Sequence, residues 1–174
     1  MPQMPISALP ARPFPSDPSQ RMQIALYQPE IPPNTGNIGR ICAATQTRLH
    51  LIGPLGFSLE DKYLRRAGLD YWPHLDLVVW QSWSDFAQGP GSRRTLVLAG
   101  SKFAPSLYAR AFQGEEVLLF GPESRGLPDW LVQKHPRACI RIPIWGGVRS
   151  LNLANAVSVC LYEAYRQTRD LTEL

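Results

Sequence analysis

The sequence predicts an α/β fold, a mostly parallel sheet with helices on both faces, and three observations carry that prediction. Short apolar runs alternate with helical patterns along the chain. The runs are continuous rather than alternating in polarity, which is the composition of strands covered on both faces. Three of them, ending at Ala99, Phe120 and near Ile142, run into loops of small or glycine residues. The clearest case is Val117-Leu118-Leu119-Phe120 followed by Gly121-Pro122-Glu123-Ser124-Arg125-Gly126, which can continue neither a strand nor a helix. A loop therefore opens at a strand's carboxyl end, where doubly wound sheets bind their ligands. Glycine there lets backbone groups approach a ligand more closely than any Cβ would allow.

The 174 residues suit one domain with a sizeable core, and 44% hydrophobic with 18% charged residues is a globular composition. A net charge of +4 permits a polyanionic partner without requiring one. Cys42, Cys139 and Cys160 are far apart among apolar neighbours and read as reduced core residues, and His50, His74 and His135 are equally scattered. Neither a metal site nor a Cys/His nucleophile pair has any support in spacing, so no metal is expected. The chain has no run of eighteen apolar residues and no signal-peptide pattern, so the sequence reads as cytoplasmic, with no membrane partner.

Taken in order, residues 1–21 carry six prolines and little periodic hydrophobicity, which predicts a disordered arm, either a docking peptide or an extension without function. The domain spans residues 22–167, and residues 168–174 form a tail. Gln23 to Tyr27 is a strand stopped by Pro29, and a loop then feeds a helix that continues through 39–46. Asn34, Asn37 and Arg40 recur at a spacing of three and share its polar face, either as a solvated face with Asn34 as N-cap or as a functional stripe. Residues 49–52 make a second strand. Ser58-Leu59-Glu60-Asp61 resembles a capping box that opens a short helix bearing Lys62, Arg65 and Arg66. Those cations complement a helix dipole or grip phosphates.

Residues 77–80 read as a third strand, 83–88 as a short helix, Gly89-Pro90-Gly91-Ser92 as a loop, and 95–99 as a fourth strand. After the fifth strand, Pro128 suits the first turn of a helix through Lys134, and residues 139–142 give a sixth strand. A glycine loop, 143–150, leads into a helix predicted from Leu151 to Arg166. Along it Asn152, Asn155, Ser158, Tyr162 and Arg166 draw one polar stripe on an otherwise apolar surface. Asparagines on such a helix must be satisfied by neighbouring loops, a ligand, a partner subunit or the backbone. The clustered glycine loops suit a nucleotide-like cofactor. Both the dinucleotide fingerprint and the phosphate-loop motif are missing, which favours one without a phosphate chain.

Three segments now stand together: Asn34-x-Gly36-Asn37-x-x-Arg40, Leu119-Phe120-Gly121-Pro122-Glu123-x-x-Gly126-Leu127, and Ile142-Pro143-Ile144 with Arg149-Ser150-Leu151-Asn152-Leu153-Ala154-Asn155-Ala156. In this order they resemble the three motifs of the SPOUT RNA 2′-O-methyltransferases. Tyr27-x-Pro29-Glu30-Ile31-Pro32, Leu64-Arg65-Arg66-Ala67-Gly68-Leu69-Asp70-Tyr71 and Tyr162-Glu163-Ala164-Tyr165-Arg166 are similar to the members that methylate the ribose of the tRNA wobble nucleotide, a cytidine or modified uridine. The resemblance implies an α/β-knot fold with a C-terminal trefoil knot, S-adenosyl-L-methionine as cofactor, a homodimer, and the anticodon loop of tRNA as partner. It implies cofactor contacts at Leu98, Ala99, Gly121, Glu123, Ile142, Ser150 and Leu151. Arg40, Asn34 and Asn152 are implied for catalysis, and Lys62, Arg65, Arg66, Arg149 and Tyr162 for RNA binding. Trp145-Gly146-Gly147-Val148 departs from the family's pattern. Two other classes compete, a catalytically silent RNA-binding subunit and a nucleotide-dependent oxidoreductase. Asn34, Arg40 and Ser150 argue against the first, and the missing dinucleotide fingerprint argues against the second. A 2′-O-methyltransferase acting elsewhere on tRNA or on ribosomal RNA is the remaining alternative.

Overall fold

Six parallel strands form one sheet, and its order reverses direction beside its middle. The computed structural model describes residue 17 and residues 20–60, 71–100 and 103–169. Strands β1 (Gln23–Tyr27), β2 (Arg48–Ile52), β3 (Leu77–Trp80), β4 (Leu96–Ala99), β5 (Val117–Phe120) and β6 (Cys139–Ile140) lie in the order β3-β2-β1-β5-β4-β6. Every pairing is parallel. The helices are α1 (Pro32–Ala44), α2 (Trp83–Gln88), α3 (Pro90–Arg93), α4 (Asp129–Lys134) and α5 (Leu153–Thr168).

The continuous apolar runs are explained by two cores, one on each face. Ile24 and Leu26 of β1, Leu118 and Phe120 of β5, and Val97 of β4 point into a cluster with Ile38 and Cys42 of α1 and Val157, Cys160, Leu161 and Tyr165 of α5. Their neighbours Ala25, Val117, Leu119, Leu96 and Leu98 point the other way, into a cluster with Phe86 of α2 and Leu131 of α4. Side chains alternate across a strand, so burying both faces makes successive residues of the central strands apolar, except where a buried polar pair such as Gln23 and His50 is hydrogen-bonded. The three cysteines are buried and unpaired, as their setting predicts. Burial raises the Cys42 thiol far above its ordinary range and pushes Cys160 up to about 12, so neither supplies a thiolate.

Several boundaries differ from the sequence reading. Helix α1 begins at Pro32, so Asn34 lies inside its first turn and is not its N-cap. Gly89-Pro90-Gly91-Ser92 is not a plain loop, because Pro90 at N1 opens the single helical turn α3. Pro128 is the residue before α4 rather than its first turn. Helix α5 starts at Leu153 because Asn152 caps it, its Oδ1 accepting from the Ala154 and Asn155 amides at 2.9 and 3.3 Å. The predicted arm lies almost wholly outside the described residues. So do Lys62, Arg65 and Arg66 with most of their predicted helix, and residues 170–174 of the tail.

The sixth strand ends two residues early, for a topological reason. The Gly100 amide donates to the Ile140 carbonyl at 3.1 Å on one side of the chain. On the other side the Arg141 amide donates to the Pro105 carbonyl at 2.9 Å, and Leu107 donates to the Arg141 carbonyl at 2.8 Å. The path that leaves β4 at Gly100 therefore comes back as 105–107 beside Arg141, the residue after β6, on the side away from β4. From there the chain returns towards the middle of the sheet and lays α5 on α1.

One buried titratable group stabilises this frame. His50 on β2 is fully buried; Trp80 Nε1 donates to its Nδ1 at 3.0 Å, so Nε2 carries the proton and donates to Gln23 Oε1 at 2.9 Å. Burial, reinforced by the Arg48 cation, lowers its pKa to about 4. Its contribution is thus complete above the unfolded value of about 6.5 and is lost as pH falls towards about 4. We expect urea denaturation to show stability falling by about 2 kcal/mol between pH 7 and pH 5, within a total of about 3 kcal/mol. His50→Gln should remove most of that slope, and an unchanged slope would assign it to other groups.

Candidate active site

The reversal of strand order places β1 and β5 side by side at the point where chain connections diverge, and a cleft of about 940 Å³ opens there at the carboxyl edge. That volume lies within the range of small-molecule and cofactor pockets. Its walls are the loops after β4, β5 and β6 together with the start of α1.

The β5 loop doubles back on itself. A Cβ at Gly121 would stand 2.2 Å from the backbone of Gly126 and Leu127, so no side chain fits. Gly126 has φ +73°, and its amide donates to the Pro122 carbonyl at 2.9 Å, closing the turn. The turn sends Glu123 to the N-terminus of α1, whose N-cap Ile31 has no capping side chain. The Glu123 carboxylate accepts from the amides of Glu30 at 2.8 Å and Ile31 at 3.3 Å, and from Asn34 Nδ2 at 3.0 Å. An anion placed there complements the helix dipole and satisfies donors that the chain leaves open. Glu30 reciprocates, accepting from the Ser124 amide and hydroxyl at 3.0 and 2.8 Å.

A relay of amides extends this network to the C-terminal helix. Asn152 Nδ2 donates to Asn34 Oδ1 at 2.9 Å while its own Oδ1 caps α5. The N-termini of α1 and α5 are thereby tied through Asn34, Asn152 and Glu123, from three segments of the chain. Phe120, Ile142, Ile144, Leu151, Leu153 and Ala156 give the cleft an apolar lining, and Arg125, Arg141 and Arg149 line it as cations.

Of the residues implied for cofactor binding, Ala99, Gly121, Glu123, Ile142, Ser150 and Leu151 line this cleft, and Asn34, Asn152 and Arg149 join them. Leu98 does not, because its side chain is buried in the opposite core. Arg40 lies outside the cleft, on the exposed side of α1 with its guanidinium 4.8 Å from the centre of the Tyr71 ring. Six residues of helix put it about 9 Å along the axis from Asn34. Asn34 itself is buried, so the Asn34, Asn37 and Arg40 stripe is not one solvated face. Tyr162 is exposed on α5, away from the cleft. Sequence reasoning missed the Glu30–Ser124 tie and the cation of Arg141; pairings this distant in the chain leave no local pattern to read.

The lining suits an adenosine-bearing group. Apolar walls accept a flat base, glycine loops present backbone donors and acceptors, and no cluster of metal-ligating side chains occurs among the described residues. Comparison with known proteins agrees. The model of the SpoU rRNA Methylase family matches residues 21–162. A tRNA (cytidine(34)-2′-O)-methyltransferase of Methylovorus glucosotrophus is 50% identical over 145 residues, covering 83% of this chain and 94% of that protein. A solved structure described as giving insights into the 2-OH methylation of C/U34 on tRNA superposes with a TM-score of 0.81 at 47% identity, covering 87% of this chain and 97% of that one. An AdoMet-bound rRNA methyltransferase from Sinorhizobium meliloti superposes with a TM-score of 0.78 at 25% identity, covering 87% and 58%.

Proposed function

Because the chain belongs to the SpoU rRNA Methylase family, we propose that its cleft binds S-adenosyl-L-methionine and that it methylates the ribose 2′-hydroxyl of the tRNA wobble nucleotide. What supports the choice of tRNA over ribosomal RNA is the near full-length identity to proteins named for cytidine 34, at 50% in the case given above. Bound in the cleft, the cofactor supplies an electrophilic methyl on a sulfonium. The chain's own task is to hold the ribose in line with it and to stabilise the oxygen as it loses its proton.

Ala99, Gly121, Ile142, Ser150 and Leu151 hold the cofactor largely through backbone groups. Glu123 keeps the β5 loop and α1 in register. Asn34 and Asn152 orient the ribose from the joined ends of α1 and α5. Arg40 stabilises the developing alkoxide or an adjacent phosphate electrostatically; a guanidinium keeps its proton at any physiological pH, so it is a clamp and not a base. From its position outside the cleft, Arg40 serves a reacting ribose held by a second copy of the chain, which makes the enzyme a homodimer. The β6 path fits the C-terminal trefoil knot implied by the resemblance. Arg149 contacts RNA phosphates, as do Lys62, Arg65 and Arg66 of the segment outside the described residues. Tyr162 contributes from α5. A cytoplasmic location fits a tRNA substrate; among the described residues no helix is long and apolar enough to cross a membrane.

The wobble nucleotide lies in a single-stranded loop, so its ribose reaches a small active site without opening a duplex. Radiolabelled methyl transfer to purified tRNA followed by nuclease mapping is expected to put the label at the wobble position. KM for tRNA should rise steeply with salt, because phosphate contacts dominate. Label confined to another loop or to ribosomal RNA would retain the fold and chemistry and discard this substrate.

A further inference from the structure

The carboxyl edge of the sheet also carries two aromatic rings that the reaction as described does not use. Phe103 is 99% exposed and Trp145 is 90% exposed. They stand on loops leaving adjacent strands, since β4 and β6 pair through Leu98↔Cys139 and Ala99↔Ile140. The loops are tied together: Arg141 Nε donates to the Ala104 carbonyl at 3.0 Å, which pins the residue after Phe103 to the segment leading to Trp145. Trp145 lies in the chain between Ile144 and Val148, both of which line the cleft, so its loop borders the cleft. A Cβ built at Gly146 or Gly147 would meet nothing within 4 Å, so this loop stands clear of the rest of the chain.

Charge selects the occupant. Arg125, Arg141 and Arg149 line the adjoining cleft. The nearby carboxylates of Glu30 and Glu123 are engaged by backbone amides, the Ser124 hydroxyl and the Asn34 amide. Exposed planar rings on loops beside cationic side chains are a means by which single-stranded nucleic acid is held, base on ring and phosphate on cation. We propose that Phe103 and Trp145 stack on nucleobases flanking the nucleotide whose ribose enters the cleft, and so position the anticodon loop. This rests on the substrate reading given above, and both are positioning residues with no part in methyl transfer itself.

The test uses the full-length protein, purified tRNA, and an anticodon stem-loop with 2-aminopurine beside the wobble nucleotide. Wild-type protein should quench the 2-aminopurine on binding. Trp145→Ala should abolish most of the quenching and raise KM for tRNA about tenfold, with kcat and S-adenosylmethionine affinity nearly unchanged. Phe103→Ala should raise KM about fivefold. Trp145→Phe, which keeps a ring, should recover most of both losses. If the wild type methylates the wobble nucleotide and the alanine variants match it in KM and quenching, the stacking role is wrong. Loss of cofactor affinity in Trp145→Ala would make the ring structural. A change of oligomeric state in light scattering would make the rim a contact between copies; either result overturns the proposal. A wild type that labels only another RNA position overturns the wobble assignment itself, and the stacking role with it.

Discussion

Replacing Arg40 by alanine is expected to reduce methyl transfer by about 10²–10³-fold, the usual cost of removing one preorganised donor to a developing oxyanion. Cofactor affinity should stay within a factor of about two, because Arg40 lies outside the cleft proposed for the cofactor. Arg40→Lys should recover only part of the rate: the charge survives, but the fork that engages an oxygen pair does not. The same variant tests the dimer. Chains carrying Arg40→Ala, co-expressed with chains whose cleft is disabled, should regain transfer in the mixed population, since one intact cleft then faces one intact arginine. Absence of rescue, or a monomer in light scattering, would place Arg40 in service of its own chain's cleft. Loss of the fold or of cofactor binding in Arg40→Ala would mark it as structural.

The second large effect belongs to Gly121. A methyl group there would lie 2.2 Å from the backbone of Gly126 and Leu127, and backbone cannot swing aside as a flexible side chain can. Gly121→Ala should therefore unfold the β5 turn, withdraw Glu123 from the α1 N-terminus, and lower cofactor affinity by more than about 100-fold, at a stability cost of about 2–4 kcal/mol. Calorimetry with S-adenosylhomocysteine and thermal melts check both quantities. Near-normal binding would show that the turn has a second workable shape. Ser124→Ala supplies the contrast: it removes only the hydroxyl that Glu30 accepts and leaves the amide bond in place, so a loss of about 1 kcal/mol or less with binding retained is expected.

Much of this fold was legible because its strands are buried on both faces. Residues 23–27, 77–80 and 117–120 have the observed strand bounds, as continuous apolar runs bounded by breakers should. Boundaries failed where a contact outside the apolar pattern decides them. Past Ile140 the backbone bonds 105–107 on the side away from β4, and α5 waits for the neighbouring Asn152 to cap it. Within the site, the glycine loops and both asparagines could be read from their residue types. That Asn34 bonds Asn152 and Glu123 could not, since those contacts span 118 and 89 positions of sequence. The return of 105–107 beside Arg141 left no local pattern, and a knotted path was implied by the family resemblance alone, because generic topology rules discard threaded chains.

That junction also bears on how long the cleft persists. Strand β6 pairs with β4, and Arg141, the next residue, bonds 105–107 on its other side, so this end of the chain detaches only when two separate stretches part from it. Both stretches precede β6 in the chain, so these contacts wait for the closing segment, and pairings of such sequence separation are slow to form. The segment that carries Ile142, Ser150 and Asn152 is therefore expected to open slowly, and slow hydrogen exchange at the amides of Ile140 and Arg141 would show that the lifetime of the cleft is in part kinetic.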